Sequence, residues 1–122
     1  MATGLSRDEL FSFAGGHRDE YEGLLRQFVE TPTVSVDPAH KEDIRKGVDL
    51  TVETFRRFGG EVEVYEVGNG NPTVHAVFGR EKGMPTVTVY NHMDVQPASK
   101  ETEPWDTEPF VFTKKGDTYY GR

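Results

Sequence analysis

Val87-Thr88-Val89-Tyr90-Asn91-His92-Met93-Asp94-Val95-Gln96-Pro97 is the stretch on which the reading of this chain turns. It begins with β-branched and aromatic residues, as a buried strand does, and passes into polar residues that suit a loop. The ends of strands are where open α/β sheets usually place their ligands. In extended backbone, residues i and i+2 point to the same side, so His92 and Asp94 present an imidazole and a carboxylate toward one point. An imidazole that binds metal through one nitrogen commonly has its other N–H held by a carboxylate. Taken alone, the tripeptide reads first as a capped loop, with Asp94 accepting from backbone amides and His92 half exposed.

Upstream of this stretch the chain reads as helical. Ser6-Arg7-Asp8-Glu9 has capping-box spacing, and Leu10, Phe11 and Ala14 follow before Gly15-Gly16 breaks the run. Beyond His17, the residues Tyr21, Leu24, Leu25, Phe28 and Val29 fall on one helical face, and Thr31-Pro32 ends that helix. Asp37-Pro38 reads as an N-cap followed by proline at the first helical position. The stripe Ile44, Val48, Val52 and Phe55 then gives a further helix, weakened by Gly47 and stopped by Gly59-Gly60.

After Gly60 the pattern changes to strands. Residues 61–67 and 73–78 are β-branched and aromatic around a Gly68-Asn69-Gly70-Asn71-Pro72 turn, and residues 86–90 form a third candidate. Residues 110–113 and 118–120 flank Lys114-Lys115-Gly116-Asp117 as a hairpin. Helices followed by strands, without a repeat, make an α/β layer structure the expected class.

Composition narrows the chemistry. The chain has 122 residues, with 14 Lys and Arg against 21 Asp and Glu, and a net charge of −7. The acidic excess is spread along the chain, with no basic stripe for a phosphate backbone, so nucleic acid is not an expected partner. No apolar run approaches the roughly 18 residues of a spanning helix, so no membrane segment is expected. Zero Cys excludes a disulfide framework and thiolate metal sites. The opening residues lack a basic stretch followed by an apolar one, which leads us to expect a cytoplasmic protein.

Several elements stand in order around the His92 stretch. They are Trp105, Pro109-Phe110, Gly116 and Tyr120-Gly121-Arg122, with Thr31-Pro32-Thr33-Val34-Ser35 upstream. Together with His92-Met93-Asp94-Val95-Gln96-Pro97 they resemble a zinc-dependent exopeptidase and amidohydrolase family. Its members include carnosinase-type dipeptidases, glutamate carboxypeptidase, acetylornithine deacetylase and succinyl-diaminopimelate desuccinylase. The Asp-Val-Gln-Pro form leans toward the dipeptidase-like members. Asn91 stands where a small residue is more usual, and Met93 where an aromatic or aliphatic one is.

The resemblance implies that residues 1–122 are the N-terminal part of a zinc-exopeptidase-like catalytic domain, two or three helices followed by a mixed sheet. It implies that the sequence stops before the motif that bridges the metals. His92 then matches a metal ligand, and Asp94 matches the catalytic aspartate that orients its ring. The implied cofactor is a pair of Zn ions, with Co or Mn also suiting such ligands. The implied reaction is hydrolysis of amide bonds in dipeptides or small peptides by a metal-activated water. An N-acyl amino acid substrate, cleaved by a deacylase of the same family, is the nearest alternative. The resemblance also implies a homodimer formed through a domain not contained in this sequence. A non-catalytic α/β module that keeps only the start of the fold is the competing reading. Under either one, these 122 residues alone are expected to show no peptidase activity.

Overall fold

The computed structural model describes residues 4–122. Ser6 caps the first helix, α1 (Arg7–Gly16). Its hydroxyl accepts from the Glu9 amide, while the Glu9 carboxylate accepts from the Ser6 amide. That reciprocal pair satisfies two of the donors a helix start leaves free. Gly15 and Gly16 remain helical, and the break falls one residue later than their sequence predicts, at His17. There the chain pivots on a ring that stacks against Phe13, 3.9 Å between centroids. Two glycines cost a helix only about 1 kcal/mol each, too little to unwind a last turn that His17 closes.

The second helix, α2 (Arg18–Val29), ends ahead of Thr31-Pro32 as expected. Asp37 accepts from the Ala39 amide and caps a 3-10 turn, Pro38–His40, which runs directly into α3 (Lys41–Arg57). Along α3 the predicted stripe buries Ile44 and Val48 and half-buries Val52 and Phe55. Gly59, at φ +83°, supplies the left-handed turn that ends it.

Among the described residues the strands pair in two separate antiparallel hairpins. In the first, β1 (Glu61–Tyr65) lies against β2 (Thr73–Val77), with Glu61 opposite Val77 and Tyr65 opposite Thr73. Helix α3 packs on this hairpin, and Phe55 meets Phe78 edge to face at 5.7 Å. In the second, β3 (Thr113–Lys115) lies against β4 (Thr118–Tyr120) around Gly116 at φ +60°. Its first strand starts at Thr113, so residues 110–112 lead into the ladder without joining it.

The α/β class holds, but two points differ from the sequence reading. The strands do not merge into one mixed sheet, and residues 86–90 form no strand. Val87, Val89 and Tyr90 are 83%, 76% and 90% exposed. A β-branched run becomes a strand only when a neighbouring backbone takes up its N–H and C=O groups. Here β1 and β2 use each other, and the parallel contact in the described residues is a single bridge, Val34 to Val95.

Glu22 of helix α2 gathers the main polar contacts to the second hairpin. Glu22 accepts from Lys114 Nζ at 2.8 Å, from the Tyr119 hydroxyl at 2.6 Å and from Arg18 Nε at 2.8 Å. These donors, the Lys114 ammonium first, hold the Glu22 carboxyl down to about 2. Beside this cluster Phe112 is buried, with the Arg26 guanidinium 4.8 Å above its ring.

Candidate metal centre

The site starts from two short segments, 33–35 and 93–95, that run side by side. The Val95 amide donates to the Thr33 carbonyl at 3.0 Å, and the Thr33 hydroxyl donates to the Met93 carbonyl at 2.6 Å. Between them Val34 is only 2% exposed and bridges to Val95. Gly47 of α3 makes room for this arrangement. A Cβ there would sit 2.6 Å from Thr33 Cγ2 and 3.5 Å from Met93 Sδ. In the sequence Gly47 reads as a weak point of the helix; in the fold it is where Thr33 approaches the helix backbone.

On this platform His92 turns toward Asp94. Its Nδ1 lies 2.9 Å from the Asp94 carbonyl oxygen and 3.2 Å from Asp94 Oδ1. Both neighbours only accept, so Nδ1 carries a proton, and in the neutral ring the lone pair is on Nε2. The His92 side chain is 74% exposed and that of Asp94 47%. The second carboxylate oxygen, Oδ2, accepts from the Ser35 hydroxyl at 2.7 Å. That bond, with smaller help from His92, holds the Asp94 carboxyl below its ordinary range despite partial burial.

A shallow cavity of about 300 Å³ opens here, lined by His92, Asp94, Val95, Gln96 and Arg122. Arg122 closes one side. Its Nε donates to the Gln96 carbonyl at 3.1 Å, its amide to the Pro109 carbonyl at 2.7 Å, and its guanidinium lies 6.0 Å over the Trp105 ring. Gly121 lets this end of the chain reach α2, since a Cβ there would meet Val29 Cγ1 at 2.5 Å. The Tyr-Gly-Arg elements and the His-x-Asp elements, 26 residues apart at Gln96 and Arg122, are thus one neighbourhood.

The remaining histidines have other partners. His17 faces the Phe13 carbonyl, His40 lies 2.9 Å from Asp43 Oδ2, and His75 lies 3.9 Å from Glu63. Among the described residues no three His, Cys, Asp or Glu side chains converge as a metal site would need. His92 Nε2 has the chemistry a metal ligand needs, and an Asp94 carboxylate oxygen stands at the other ring nitrogen, 3.2 Å away. A zinc centre takes three or four protein ligands, so these residues fit part of such a centre and not a whole one.

No family model matches the chain. Cys-Gly metallodipeptidase dug1 of Schizosaccharomyces pombe is 32% identical over 118 residues, which is 89% of this chain and 25% of that protein. Beta-Ala-His dipeptidase of Rattus norvegicus is 28% identical over 127 residues, covering 94% of this chain and 26% of its own. Both relatives are dipeptidases by name, and dug1 is a metallodipeptidase. The solved structure of human carnosine dipeptidase 1 agrees, with a TM-score of 0.84 at 27% identity over 94% of this chain and 26% of that one. The chain therefore spans about a quarter of the length of the dipeptidases it matches.

Two residues of the neighbourhood escape the sequence reading. Ser35 sits in the Thr31-Pro32-Thr33-Val34-Ser35 segment, but nothing in the sequence says that its hydroxyl meets Asp94, 59 residues away. Arg122 belongs to a recognised motif, yet its tie to Gln96 is tertiary. Thr33 and Val34 are both buried, at 4% and 2% exposure, and Ser35 lies in the turn that follows, so no polar–apolar alternation marks which hydroxyl meets Asp94.

Proposed function

We propose that this chain supplies the His92–Asp94 part of the active centre of a metal-dependent dipeptide hydrolase, as the N-terminal part of its catalytic domain. One observation carries the proposal: His92 Nδ1 is committed to two acceptors of Asp94, which leaves Nε2 free and exposed beside a cavity. His92 is the metal ligand, and Asp94 fixes its ring and tautomer. The dipeptidase names of the relatives support the reaction class. When a divalent metal is bound, the chemistry it supplies is activation of a water and polarisation of the scissile amide carbonyl. His92 and Asp94 contribute orientation and a neutral imidazole lone pair. Zinc as the metal, a pair of ions, N-acyl amino acids as an alternative substrate, homodimerisation and a cytoplasmic location are all finer parts of the same proposal.

The test is zinc added stepwise to the chain, followed at the ring resonances of His92. Zinc is expected to shift them, His92→Ala to remove the response, and Asp94→Asn to weaken it about 10- to 100-fold, as loss of an orienting carboxylate does. The 122 residues alone are expected to leave a Cys-Gly dipeptide intact, since their ligand set is partial. A His92 ring indifferent to zinc overturns the assignment. Zinc-dependent turnover by these 122 residues overturns the claim that the centre is incomplete.

A further inference from the structure

In the segment that follows α2, Thr33 and Val34 hold the platform under His92, and the Ser35 hydroxyl has a task of its own. We propose that Ser35 is a positioning residue for His92, acting through the Asp94 carboxylate. The proposal rests on the reading of His92 as a metal ligand.

A carboxylate on an exposed loop turns freely about its side-chain torsions, and at 47% exposure water competes for both oxygens of Asp94. The Ser35 hydroxyl removes that freedom. It donates to Oδ2 at 2.7 Å, which leaves Oδ1 facing His92 Nδ1 at 3.2 Å. The two oxygens of one carboxylate are thereby given separate partners. The serine can do this because its own backbone is fixed. Two residues earlier Thr33 is bonded to Met93 and Val95, and Val34 between them is buried and in register with Val95.

Ser35 lies in the turn that the Asp37 amide closes onto the Val34 carbonyl at 3.2 Å, and that turn delivers its hydroxyl to Asp94. The Thr33 hydroxyl takes the Met93 main chain, and the Ser35 hydroxyl takes the next residue's side chain. The register is anchored in turn by Gly47, whose missing Cβ admits Thr33. The order of dependence therefore runs from α3 through Thr33 and Ser35 to Asp94 and then His92. Ser35 touches no ligand, and its effect is confined to the direction in which Asp94 and His92 point.

The experiment uses Ser35→Ala and Ser35→Thr in the full chain without metal. The rotamer of Asp94 is read from three-bond couplings to its carboxyl carbon. Wild type is expected to hold one Asp94 rotamer, Ser35→Ala to average over several, and Ser35→Thr to restore one, since threonine keeps the hydroxyl. Zinc added stepwise and followed at the His92 ring is expected to bind about tenfold more weakly to Ser35→Ala and normally to Ser35→Thr. A single Asp94 rotamer in Ser35→Ala overturns the proposal, as does failure of Ser35→Thr to recover either readout. Averaging in Ser35→Ala together with a wild-type His92 ring that ignores zinc supports the Ser35–Asp94 anchor and overturns the metal-ligand reading instead.

Discussion

Residues 86–90 and residues 93–95 are neighbours in sequence and opposites in structure. The first carry Val87, Val89 and Tyr90 and lie almost wholly in solvent. The second carry Met93, Asp94 and Val95 and are tied to residues 33–35 by two backbone-directed hydrogen bonds, a bridge and the Ser35–Asp94 contact. The more apolar segment is the less ordered by contacts. Apolar character decides which residues favour burial, but partners decide which are buried. Residues 93–95 have partners because Gly47 and Val34 bring a second segment to them, and residues 86–90 have none among the described residues.

The largest expected effect attacks the partnered side of that contrast. Gly47→Ala should destabilise the fold by about 1–3 kcal/mol, because the new methyl overlaps Thr33 Cγ2 and must displace the 33–35 segment. Gly23→Ala in α2 is the matched control, with open space around its Cβ, and should stabilise by about 0.5–1 kcal/mol through helix propensity alone. Urea melts of both variants check this. If Gly47→Ala stabilises like Gly23→Ala, the platform under His92 is not held by that close approach.

A smaller effect concerns the electrostatic tie at Glu22, which joins α2 to β3–β4 and so carries Gly121 and Arg122 to the cavity. Its folded pKa of about 2 lies below the ordinary 4.5 for this group. The stability it contributes is therefore fully present above about pH 4.5 and is lost as pH falls toward 2. Thermal melts should show Glu22→Gln less stable than wild type at pH 6, with the two converging toward pH 2. A gap of the same size at both ends would mean that the carboxylate charge is not what joins helix and hairpin.

The smallest effect belongs to the unpartnered side. Val87→Ser and Val89→Ser should each change stability by no more than about 0.5 kcal/mol, as exposed substitutions do. A loss of 2 kcal/mol or more in either melt would mean that residues 86–90 are covered in solution, and the contrast with residues 93–95 would dissolve.

How much was legible beforehand follows the range of the interactions. The Ser6–Glu9 box, the face of α2, the Asp37 cap and the stripe of α3 are local and periodic, and each is found where its spacing puts it. The break at His17 and the late start of β3 moved by one to three residues, since ring stacking and ladder pairing there are not encoded in residue type. At the site, His92 and Asp94 stand two residues apart, so their meeting is a local event, which the spacing allows and the surrounding motif elements single out. Ser35 and Arg122 reach the same place from 59 and 26 residues away, and no short-range pattern marks them.

By itself, then, the sequence determined the helices, the two hairpins and the His-x-Asp pair, because each depends on residues within a few positions of one another. Only the tertiary structure decided that Gly47 is a contact and not a flaw, and that residues 86–90 stay unpaired. It also decided that one hydroxyl and one guanidinium converge on the loop bearing His92. Those outcomes depend on which distant backbone arrives, and arrival is set by packing across the whole fold.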